Sequence, residues 1–122
     1  MPLSLKKIRK SFFYASRGLI FTYKNEQNFR IQIFIGLLVI IAMVILKVQN
    51  YEAITLLLLI ILVLVLELVN TIFEKIIDIL KPRIHSYVEV IKDVMAAAVL
   101  VSSVGATIIA GLIFVPYLLA LF

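Results

Sequence analysis

Three long stretches almost free of polar positions divide the chain. The first runs from Ile31 to Leu46 and is interrupted only by Gln32 and Gly36. As a helix it would reach about 24 Å, short of the ~30 Å hydrocarbon core but workable with flanking residues. The second occupies Tyr51 to Leu80. It opens as YEAITLLLLIILVLVL, uncharged after Glu52, and continues as ELVNTIFEKIIDIL, equally helical but set with acids. At roughly 45 Å it should protrude from a bilayer, and the acidic end must be the protruding one. The third runs from Val94 to Val115, opened by Lys92-Asp93 and closed by Pro116. Its small residues Ala98, Ser102, Gly105, Ala106 and Ala110 recur at three and four, a spacing that suits close helix contact in lipid. Lys47, Gln49 and Asn50 make the first break. Lys81-Pro82-Arg83 makes the second, because proline disfavours helix in the residue before it. The pattern predicts an all-α membrane protein with spans at 31–48, 51–80 and 92–116.

Residues 1–30 read differently. Lys6, Lys7, Arg9, Lys10, Arg17, Lys24 and Arg30 alternate with Leu5, Ile8, Phe12, Phe13, Leu19, Ile20 and Phe21. No uncharged span here can cross a bilayer. An amphipathic helix in the headgroup layer fits, apolar side down. The polar cluster NEQNFR (25–30) ends it. Nothing resembles a cleavable signal peptide, and one membrane domain over 1–122 is the natural count.

Composition agrees. Of the 122 residues 64% are hydrophobic, against about 45–50% in a soluble domain. There are no cysteines, which excludes disulfides and thiolate metal sites. The net charge of +5 is explained by topology, and no nucleic-acid partner is expected. Seven of the twelve Lys and Arg precede Ile31, four lie between Lys75 and Lys92, and one lies in the first turn. The positive-inside rule then puts the N-terminus and the second loop in the cytoplasm and the C-terminus outside.

The candidate chemistry lies on that cytoplasmic side. Glu67, Asn70, Thr71, Glu74 and Asp78 fall on one helical face, and Glu67 still has Leu66 and Leu68 beside it. A carboxylate there is expensive and reads as functional, or as a buried acid paired in another subunit. Asn25-Glu26 and His85 with Lys92-Asp93 add further polar groups. Hard oxygen donors of this kind suit Mg²⁺ with substrate phosphates, and Lys92 can offset phosphate charge. Glu67, the deepest acid, is placed to meet a hydroxyl that never leaves the membrane surface. No GxxxxGK[ST] phosphate loop and no protein-kinase signature is present.

These residues resemble a known family, the small bacterial integral-membrane diacylglycerol kinases and undecaprenol kinases. ELVNTIFE (67–74), Asp78, His85 and IKDVMAAAVL (91–100) resemble its E-x-x-N-[ST]-x-x-E, Asp, His and K-D-x-x-[AS]-A-A-V-L elements in order. NEQNFR (25–30) matches N-E-x-x-[FM]-R, and FFYASRG (12–18) matches an aromatic-Ala-x-x-Gly element. The resemblance implies transfer of the γ-phosphoryl group of ATP to a lipid hydroxyl of undecaprenol or diacylglycerol. It implies a homotrimer in a bacterial inner or plasma membrane, with sites between protomers. It makes Glu67 the catalytic base and Glu26 and Glu74 the pair holding nucleotide-associated Mg²⁺. Asn70, Lys92 and Asp93 become polar groups at the phosphates, with His85 and Tyr14 on the nucleotide side.

Two positions depart from the family pattern: Ile72 where Ala is usual, and Met95 where a small residue is usual. Simpler readings stand beside the catalytic ones. Glu26 suits a solvated interfacial acid, His85 an exposed loop residue, Lys92 a topology signal and Asp93 a helix cap. Glu52 and Lys47 read as boundary charges and Asp78 as structural or solvated. The rival from another class is a small oligomeric transporter or accessory subunit that uses Glu67 for proton or cation exchange.

Overall fold

The structure, a computed structural model, describes residues 2–84 and 86–122. Among them it is all helix: α1 (Leu5–Asn25), α2 (Gln27–Leu46), α3 (Asn50–Ile84) and α4 (Val88–Ala120). The last three are each long and apolar enough to cross a membrane. α2 and α4 pack against α3, which is therefore the central helix, and α1 packs against α2.

α1 starts at Ser4, whose hydroxyl accepts from the Lys7 N–H at 3.3 Å. That bond satisfies one of the donors a helix start leaves open. α1 ends at Glu26, the single extended residue (φ −117°, ψ 110°) between α1 and α2. The Glu26 N–H still closes onto the Thr22 carbonyl at 2.8 Å. Arg30, one turn into α2, reaches back with Nη1 to the carbonyls of Tyr23 (2.7 Å) and Lys24 (3.1 Å). Carbonyls at a helix end lack intrahelical partners, and Arg30 supplies them here. The side chain thereby fixes the corner between α1 and α2.

α2 ends on Lys47 in the left-handed conformation (φ 52°), with its N–H on the Met43 carbonyl. α3 then begins with a half capping box. Glu52 accepts from the N–H of Gln49 at 3.1 Å. The same Glu52 oxygen accepts from the hydroxyl of Tyr117 near the end of α4. Glu52 is thus no mere boundary charge, as its sequence position suggested. It ties the start of α3 to the end of α4.

The expected helix ends shift in three places. α3 continues through Pro82 to Ile84. Proline this close to a helix end removes one hydrogen bond, to the Asp78 carbonyl, and both residues are exposed, so water replaces it. α4 continues past Pro116 to Ala120 for a similar terminal reason. It also begins at Val88, not Lys92, because Val88 is buried (4% exposed) and extends the packed face by a turn. Asp93 is therefore inside the helix and does not cap it.

The packed interior is thin. Phe29, Leu56 and Ile77 are each 2% exposed, whereas most large apolar side chains of α2, α3 and α4 face outward. Such a surface is intolerable in water and ordinary in lipid. Gly36 lets α2 come close to α3: a Cβ there would stand 3.1 Å from Cγ2 of Ile60.

Candidate active site

The acidic face of α3 meets α2 and divides by depth. Glu67 is 1% exposed, as buried as the most buried leucine, and Thr71 is 5% exposed. Asn70 and Glu74 are half-buried and Asp78 is exposed. Glu67 is held in two ways. Thr71 donates to its backbone carbonyl at 3.0 Å, and Nε2 of Gln32 on α2 donates to its Oε2 at 3.5 Å. One turn on, Nδ2 of Asn70 donates to Oε1 of Glu74 at 3.2 Å.

Glu26 reaches the same end of the bundle. α2 and α3 are antiparallel, so the Gln32–Glu67 contact sets their register. Glu26 lies six residues from Gln32 in one direction, about 9 Å along the axis. Glu74 lies seven residues from Glu67, about 10.5 Å in that same direction. Glu26 and Glu74 therefore share a level, with Asn70 about midway between them and the deeper Glu67. The Glu26 carboxylate makes no capping bond of its own. Lys75, next to Glu74, stands with Nζ 5.7 Å from the centre of the Phe21 ring and draws α1 against α3.

The other expected residues are placed apart from this cluster. Tyr14 is exposed on α1, twelve residues before Glu26 or about 18 Å along that helix, edge-on to Phe13. Lys92 and Asp93 are exposed in the second turn of α4. Counting back from the α3–α4 turn, they sit roughly 9 Å nearer that turn than Glu74. His85 lies outside the described residues.

Below Glu67 the chemistry ends and an apolar cleft of about 280 Å³ begins, walled by α2, α3 and α4. Gln32 stands at its polar end, and Gly36, Leu56, Ile60 and Ala106 are among the residues that line it. Two side chains that hold this end of the bundle together, Gln32 and Arg30, are not singled out by the sequence. The available signal for Gln32 was its register: Phe29, Gln32 and Gly36 recur at three and four and face α3 together.

The donors of the rim are of the kind that Mg²⁺ takes. The two carboxylates share a level and, with the Asn70 amide one turn below Glu74, are hard oxygen ligands. Among the described residues, no three or more His, Cys, Asp or Glu gather as a metal cage. A pair fits a Mg²⁺ that shares its coordination with nucleotide phosphates.

The fold and site define a helical protein with three membrane-length helices and a carboxylate buried beneath an acidic rim. The comparisons give the particular family. Residues 13–114 match the family model described as prokaryotic diacylglycerol kinase. The chain is 36% identical over 112 residues to a diacylglycerol kinase of Synechocystis, covering 91% of this chain and 64% of that protein. It is 34% identical over 114 residues to the undecaprenol kinase of Bacillus subtilis, covering 93% of each. It is 32% identical over 117 residues to a diacylglycerol kinase of Helicobacter pylori, covering 96% of this chain and 88% of that protein. No solved structure matches. The chain belongs to the prokaryotic diacylglycerol kinase family, and these relatives do not favour the transporter alternative.

Proposed function

We propose that this bacterial membrane lipid kinase transfers the γ-phosphoryl group of ATP to the hydroxyl of a membrane lipid alcohol, undecaprenol or diacylglycerol. The observation that carries the reading is Glu67: a carboxylate 1% exposed, at the boundary between an acidic rim and an apolar cleft. A base in that position serves an alcohol whose chain stays in the lipid and whose donor arrives from water.

The roles follow from depth. Glu67 takes the proton of the acceptor hydroxyl as the new O–P bond forms and the bond to ADP breaks. Glu26 and Glu74, with Asn70 holding Glu74, would hold Mg²⁺ at the nucleotide phosphates. When bound, Mg²⁺ supplies neutralisation of phosphate charge, which phosphoryl transfer needs more than covalent help from the protein. Lys92 and Asp93 stand nearer the α3–α4 turn and suit the more distal phosphates or the nucleoside. Tyr14 and His85 complete the nucleotide side. With Lys92 and Asp93 set off from the rim within one chain, a homotrimer in which a neighbouring protomer completes the nucleotide site suits the arrangement. α1 lies in the headgroup layer as an amphipathic helix, with the N-terminus and the acidic rim cytoplasmic and the C-terminus outside.

The test is phosphate transfer from radiolabelled Mg-ATP by purified protein in mixed micelles, with undecaprenol and diacylglycerol offered separately. Labelled lipid is expected, and the ratio of products names the acceptor. Folded oligomeric protein that labels neither lipid sinks the reading.

A further inference from the structure

Gln32 is the one polar side chain inside the apolar run of α2, and its amide is half used. Nε2 reaches Glu67, while Oε1 is buried and accepts no hydrogen bond from any described residue. A buried acceptor without a partner destabilises a fold, and natural proteins tolerate such groups mainly where function requires them. Packing does not require it, since most of its neighbours are apolar: Phe29 and Gly36 flank it on its own face, and Ile35 and Leu64 line the same cleft. Leucine has nearly its volume and would leave nothing unpaired.

We propose that Gln32 is a positioning residue for Glu67, an amide kept because it can serve the base both before and after it takes a proton. The inference rests on the reading of Glu67 as base. As a carboxylate, Glu67 needs a donor, and the N–H of Gln32 provides it. The reverse amide orientation would set two acceptors against each other. Once the alcohol proton has moved to Glu67, the side chain is a carboxylic acid that needs an acceptor. Rotation of the amide about its last bond brings the idle Oε1 to that O–H. The proton then leaves with the departing products, and the amide turns back.

Other side chains fail at one half of this cycle. Lysine or arginine would hold Glu67 charged and oppose proton uptake. A carboxylate would repel it, and an apolar residue would leave it free to rotate. The long 3.5 Å contact suits a site without its substrates, where catalytic hydrogen bonds are often loose and tighten in the complex.

Three full-length variants test this in micelles with Mg-ATP and whichever lipid alcohol the wild type phosphorylates. Gln32→Leu should lower kcat by roughly 10- to 100-fold, the loss expected for one hydrogen bond to a charged group. Its KM for Mg-ATP should stay within about twofold, because the rim is a separate level. Its thermal midpoint should change little, since the idle acceptor and the donor to Glu67 are lost together. Gln32→Glu should lose at least as much activity. Gln32→His, which keeps one N–H and one ring acceptor, should stay within about tenfold of wild type. Activity and stability falling together in Gln32→Leu would show a structural role and overturn the proposal, as would wild-type kcat. If Gln32→Leu does not fold, the other two decide: an inactive Glu variant beside an active His variant supports the role, and equal activities refute it. A wild type that phosphorylates no lipid alcohol refutes the kinase reading itself, and Gln32 with it. An active wild type with an indifferent Gln32→Leu refutes only the role of Gln32.

Discussion

Replacing Glu67 with glutamine separates chemistry from architecture more cleanly than any other change. The two side chains have nearly the same shape, so the buried position is refilled and no cavity opens. The Thr71 hydroxyl bonds to the backbone carbonyl of Glu67, not to its carboxylate, and survives. Nε2 of Gln32 finds an amide oxygen where it had a carboxylate oxygen. The substitution also removes a potential charge from a site only 1% exposed, where charge is costly. Melting in detergent should therefore occur at or above the wild-type temperature, and the oligomer should elute unchanged. What is lost is proton acceptance. General-base catalysis is worth about 10²–10⁴ in rate, or roughly 3–5 kcal/mol of barrier. Labelled-phosphate transfer to the acceptor lipid should fall by that factor. KM for Mg-ATP should stay within about twofold, because Glu26 and Glu74 stand roughly 10 Å away along the helices. A Glu67→Gln protein with more than about a tenth of wild-type turnover would place the base elsewhere.

Three further outcomes follow from the contacts. Arg30→Ala removes two hydrogen bonds to the last carbonyls of α1. These are exposed and worth about 1 kcal/mol together, so proteolysis near Asn25 should quicken and KM for Mg-ATP should rise as Glu26 loses its fixed corner. Tyr117→Phe releases Glu52 at the opposite end of the bundle; a loss of about 1 kcal/mol in stability with unchanged kcat is expected, from thermal melts and the transfer assay run together. Gly36→Leu drives a side chain into Ile60, whose methyl already stands 3.1 Å from where a Cβ would sit. Overpacking there should cost about 1–3 kcal/mol and raise KM for the lipid more than KM for Mg-ATP, since Gly36 lines the cleft and not the rim.

The apolar runs were legible because a membrane helix announces itself by length and by the absence of charge. The acidic face of α3 was legible too, because spacings of three and four need no partner helix to interpret. What failed was local inference at the ends. Pro82 looked decisive, yet a proline in a final exposed turn gives up one bond that water can replace. Val88 belongs to α4 because it packs, and packing is invisible in the chain. Gln32, Arg30 and Glu52 escaped for one reason. Each acts on a residue that the fold, not the sequence, brings near: Gln32 on Glu67, Arg30 on the end of another helix, Glu52 on Tyr117. Tyr14, Lys92 and Asp93 had the reverse fate, since their motifs were readable but one chain holds them apart from Glu67.

The joint at Glu26 carries a constraint of phase. A single extended residue separates α1 from α2, so the angle at which α1 presents its side chains is counted out residue by residue from α2. Inserting one helical residue beside it would turn α1 by about 100° and displace it by roughly 1.5 Å. Lys24, Phe21 and Arg17 would then point a quarter-turn or more from their present directions, and Phe21 would leave Lys75. Many substitutions in α1 preserve this dial, whereas a change in the length of the joint resets all of it at once. Among variants of this chain, the positions around Glu26 should therefore tolerate altered letters far more readily than altered spacing.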